Sequence, residues 1–151
     1  MIVSSRVLQF LKIGLFVFGF LSAILDDLIS GELAHRLVDI LLNYPVIFLP
    51  LLSGAPAISA ALVMLGIGWH RPKFRSFITI DLPGNATPMD VLQLFTAHQT
   101  GCALGHLAAW IAVRDWSFLL LSAICLYGTL CFLAGIWVLS RYGNVEEKPE
   151  D

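Results

Sequence analysis

The side chains best equipped for chemistry sit inside one apolar stretch, LFTAHQTGCALGHLAAWIAV, from Leu94 to Val113. His98, Cys102 and His106 follow one another at four-residue spacing, so on a helix they share one side. A histidine and a cysteine at i and i+4 are near enough to share a metal ion. His98 and His106 are not, being about 12 Å apart along a helix axis. A b-type haem is a second possibility for His98, because Gly101 and Gly105 beside it would leave room for a macrocycle. His70 and His35 fall at the boundaries of the apolar segments, so a second axial histidine would have to come from another subunit. The favoured reading is plainer: His98 hydrogen-bonds between packed helices, and no cofactor is predicted, with haem b kept as the alternative.

Composition places these groups in lipid. The 151 residues are 58% hydrophobic and 13% charged, with a mean hydropathy of +0.82, outside the range of ordinary soluble domains. A net charge of −2 argues against nucleic acid as a partner. A crossing helix needs roughly 20 mainly apolar residues. Segments 7–25, 46–68, 88–113 and 117–139 each reach that length. The expected fold is therefore an all-α integral membrane protein with four transmembrane helices, forming one domain over residues 1–142. The first segment lacks a small-x-small cleavage pattern before Asp26 and Asp27 and reads as an uncleaved anchor. Lys12 would snorkel from it to the headgroups.

Ala97, Gly101, Gly105 and Ala109 recur every four residues and include a GxxxG, a row that lets two helix backbones approach closely. Leu104, Leu107 and Ile111 point the opposite way and suit lipid. The fourth segment offers a mate through Gly128, Cys131 and Gly135, and the short Arg114-Asp115 connection forces the two helices antiparallel. Equal spacing from the helix centres would set His98 near Cys131 and His106 near Cys125. The three cysteines do not suggest a disulfide framework and read as small buried hydrophobes.

Between the first two segments, residues 32–44 are amphipathic. Glu32, His35, Arg36, Asp39 and Asn43 occupy about 100° of the helical wheel, opposite Leu33, Leu37, Ile40, Leu41 and Tyr44. Such a helix is expected flat on the membrane interface, with His35 solvated. Pro50 and Pro56 predict a kink or break in the second segment. Thr87, Pro88 and Asp90 supply an N-cap, a first-turn proline and a third-position acid for the third.

Arg6, Lys12, Arg71, Lys73, Arg75, Arg141 and Lys148 fall on one side of the expected membrane, against Arg36 and Arg114 on the other, which predicts cytoplasmic termini. Residues 143–151 read as a disordered acidic cytoplasmic tail. No catalytic constellation stands out. The sequence therefore suggests a small polytopic membrane protein acting as a non-enzymatic subunit or assembly factor, in contact with lipid and with other subunits or copies of itself through the third and fourth spans. Two alternatives remain open: a haem- or metal-binding subunit of an electron-transfer complex, and an oligomeric channel or transporter component.

Overall fold

A computed structural model describes residues 5–30, 32–69 and 87–142. They form α1 (Ser5–Ser30), α2 (Glu32–Asn43), α3 (Pro45–Trp69), α4 (Pro88–Val113) and α5 (Trp116–Tyr142), with no strand among the described residues. The all-helical class expected from composition is observed. Two stretches, Arg6–Ile29 of α1 and Trp116–Tyr142 of α5, are long and apolar enough to cross a membrane. The basic connection containing His70, Arg71, Lys73 and Arg75, and the acidic tail 143–151, lie outside the described residues.

Local rules account for several helix ends. Thr87 is extended (φ −90°, ψ 158°) and its hydroxyl accepts the Asp90 amide N–H at 3.2 Å. The Asp90 carboxylate in turn accepts the Thr87 N–H at 2.9 Å. This capping box, followed by Pro88 in the first turn, starts α4 where the sequence places it. The helix stops at Arg114, whose left-handed backbone (φ 63°) lets its N–H reach the Trp110 carbonyl at 2.7 Å. Asp115 then accepts the Ser117 N–H at 2.8 Å and opens α5.

Two helix boundaries depart from expectation. α1 does not end at Leu25 but continues through Asp26 and Asp27 to Ser30, because Leu28 and Ile29 prolong its apolar character and Asp27 finds a partner across the interface. α3 is one unbroken helix through Pro50 and Pro56. The helix is not broken at either proline, and the length from Ala55 to Ile67 is held against α4 and α5.

Contacts define helix direction. Lys12, Gly19 and Asp27 of α1 meet Gln93, His98 and His106 of α4 in that order, so the two helices are parallel. Ala55, Ser59 and Gly66 of α3 meet Gly128, Cys131 and Leu139 of α5, also in parallel. The two-residue connection sets α5 antiparallel to α4, with Phe95 stacked on Phe132 (5.2 Å) and Ser122 donating to the Ala103 carbonyl (2.8 Å). The core is split between the two ends. Val38, Ala109, Phe118 and Leu121 close one end, and Leu92, Phe132 and Leu139 the other.

α2 is amphipathic, and its apolar side is not all turned one way. Val38 and Leu41 are buried, whereas Leu37, Ile40, Leu42 and Tyr44 are exposed. Nor is His35 simply solvated: its Nε2 lies 2.7 Å from Asp115 Oδ2, joining α2 to the α4–α5 connection.

Candidate functional site

The small-residue row of α4 packs against α1. A methyl group at Gly105 would lie 2.6 Å from the Phe20 carbonyl oxygen and 2.7 Å from the Ala23 Cβ, closer than atoms can approach. Gly101 is pressed in the same way on the Phe16 carbonyl. On the reciprocal side, a Cβ at Gly19 would meet the His98 carbonyl oxygen at 2.6 Å. Gly101 and Gly105 thus lie against α1, and not against α5. Ala109, at the end of the row, belongs instead to the cluster with Phe118 and Val38. Ala97, at the other end, is half-buried.

The small face of α5 turns toward α3. Gly135 is in contact with the Ser59 hydroxyl, and Gly128 lies near Ala55 and the Gln99 amide. Ser59 also donates to the Cys131 carbonyl at 2.8 Å. Both glycine rows are thus occupied within the chain.

Close approach of α1 and α4 brings polar groups together at three levels. Near one end, Lys12 Nζ donates to Gln93 Oε1, so the lysine reaches across to α4 and does not snorkel away. At the middle level, the His98 ring stacks on Phe18 with centroids 6.1 Å apart and its Nε2 lies 3.8 Å from Cys102 Sγ. His98 Nδ1 is buried without a hydrogen-bond partner. Near the other end, His106 Nδ1 lies 2.6 Å from Asp27 Oδ2. The Asp27 side chain is 0% exposed and that of His106 13%, so water cannot replace the contact. Asp27 Oδ1 is buried and unpartnered.

Cys102 of α4 and Cys125 of α5 face one another across the α4–α5 interface. The register joins Gln99 to Gly128 and Phe95 to Phe132, rather than setting Cys131 beside His98 and Cys125 beside His106. His98 turns toward α1, and the space beside it that a macrocycle would need is filled by Phe18 and Gly19. Among the described residues, no three His, Cys, Asp or Glu side chains gather as a metal site.

Outside the helix ends of this seam, Asp115 is held below the ordinary carboxylate range, chiefly by the Ser117 backbone N–H and further by the Ser117 hydroxyl and His35. The carboxylate is therefore ionised at neutral pH and available to bind His35.

Asp27 is the functional candidate that reading the sequence misses. Reading the apolar run as ending at Leu25 leaves Asp27 outside the membrane. A signal was present: the first and third segments run in the same direction, and Asp27 and His106 stand at similar distances from their starts. Nothing among protein-family models, curated proteins or solved structures matches the chain.

Proposed function

We propose that the chain is a small polytopic membrane protein in which α1, α3, α4 and α5 all span the bilayer, and that it serves as a non-enzymatic subunit or assembly factor of a membrane complex. The observation that carries this reading is the outward apolar surface. Phe10 is 74% exposed and Ile29 79% on α1, with Ile13 and Phe18 between them, and Leu126, Leu130 and Trp137 are exposed on α5. Such a surface is stable only against lipid tails or apolar neighbours. The alternating helix directions support four crossings, since each helix would carry the chain back across the bilayer. Within this reading both termini are cytoplasmic, and the exposed faces of α1 and α5 meet other subunits or further copies of the chain. Purification from native membranes in mild detergent, followed by native mass spectrometry, tests the subunit role. A homo-oligomer or a stoichiometric membrane partner is expected; a bare monomer in every detergent would overturn it.

A second reading, a channel or transporter component, draws on a separate observation. Asp27 and His106 form an ionisable pair deep in an apolar helix interface, and such pairs are expensive to keep where no function uses them.

A further inference from the structure

The α1–α4 seam carries protonatable groups along most of its length. From Lys12 to Asp27 it extends about 22 Å at helical rise, against a hydrocarbon thickness of roughly 30 Å. His98 occupies the middle level, Cys102 stands one turn from both His98 and His106, and the His106–Asp27 pair occupies the far level. The buried side-chain nitrogen and oxygen atoms left without a partner among the described residues are His98 Nδ1 and Asp27 Oδ1, and both belong to this series. Leaving such atoms unpaired costs on the order of 1–3 kcal/mol each. Close helix packing at Gly19, Gly101 and Gly105 nevertheless holds them in place.

We propose that this seam binds and passes protons, with the Asp27–His106 pair as its principal proton-binding station and His98 as the second. The proposal rests on the transporter reading and names the species transported. One proton lies between Asp27 Oδ2 and His106 Nδ1, leaving the pair neutral overall. A proton arriving at the free Asp27 Oδ1 drives the shared proton onto His106 Nδ1, and the proton on His106 Nε2 departs to water, so one enters for each that leaves, the pair is neutral again and no electron moves. The charged and titratable groups around the pair are Asp26 on α1, Cys102 on α4, Asp115 in the connection with His35 of α2 bound to it, and Cys125 on α5. Asp115 and His35 stand at the end of the series, where protons could exchange with water; the His35 side chain is 51% exposed. A proton suits the site better than a metal cation does. Hard cations take about six or more oxygen ligands, and one carboxylate with one imidazole is far short of that.

The test uses the full chain reconstituted in liposomes containing a trapped pH dye, with a potassium diffusion potential imposed. Proton entry should exceed that of protein-free vesicles by about tenfold and should be indifferent to replacing sodium by choline outside. Asp27→Asn should return it to the protein-free level while keeping the elution volume and helical content of the parent. Asp27→Glu should restore much of it, and Leu104→Ala, on the exposed side of α4, should leave it unchanged. Flux that survives Asp27→Asn overturns the proposal. A flux carried by sodium and not by protons overturns it while leaving the transporter reading intact; vesicles tight to every ion remove both.

Discussion

Asp27 and His106 show how a single contact changes the meaning of two residues. Taken separately, one is an acid at the end of an apolar run and the other a polar interruption within one. At 2.6 Å, with the carboxylate side chain fully enclosed, each supplies the hydrogen bond that the other cannot obtain from water. Asp115 is the partly exposed counterpart, and its consequences follow from the sign of its shift. A carboxylate held below its ordinary range by the Ser117 N–H and His35 contributes stability that is present above the unfolded-state value and lost as pH falls through the folded one. Acidification below about pH 4 should therefore lower the thermal midpoint partly through this site. Asp115→Asn should flatten that part of the profile, read by circular dichroism in detergent from neutral to acid pH. An unchanged slope would mean that the carboxylate's contacts with Ser117 and His35 together contribute nothing to the acid limb.

At the scale of elements, the α4 glycines decide how near α1 can come. Gly105 has backbone and Ala23 against it, and neither can rotate aside as the end of a long side chain could. Gly105→Leu should separate the helices, break the Asp27–His106 contact and destabilise the protein by several kcal/mol, as overpacking at a rigid contact does. Leu104→Ala on the exposed side should cost less than about 0.5 kcal/mol. Thermal unfolding of both variants in the same detergent makes the comparison, and equal tolerance would mean that the two helices are not held by this row. α3 shows the converse. Its prolines each remove a backbone donor, yet the helix runs on through Pro50 and Pro56, and its second half packs against α4 and α5.

At the scale of the molecule, two parallel helix pairs, α1 with α4 and α3 with α5, run in opposite directions and leave apolar surface outside. Embedding all four in a bilayer predicts a labelling pattern. In a background freed of Cys102, Cys125 and Cys131, single cysteines at Ser76 and Glu147 should resist an impermeant thiol reagent in intact cells, while one at Ser30 should react. Reaction at Ser76 would contradict four crossings with cytoplasmic termini. Protection at Ser30 would mean that α2 and its surroundings cover the end of α1.

The sequence alone determines what depends on neighbours along the chain. The all-helical class, the Thr87–Asp90 capping box, the amphipathic character of α2 and the small-residue row of α4 all follow from composition and spacing over a few turns. Only the tertiary structure decides which helix meets that row, why Lys12 bonds Gln93, that Val38 and Leu41 form the inward side of α2, and that Asp27 lies within the membrane-length helix. A helical wheel orders residues around their own axis but carries no information about which neighbour occupies each direction. That depends on how all the helices rotate and slide until their small faces fit and their buried polar atoms find partners. Asp27 illustrates the difference: hydropathy assigns an isolated aspartate to water, and only an imidazole on a parallel helix at the same height makes its burial possible.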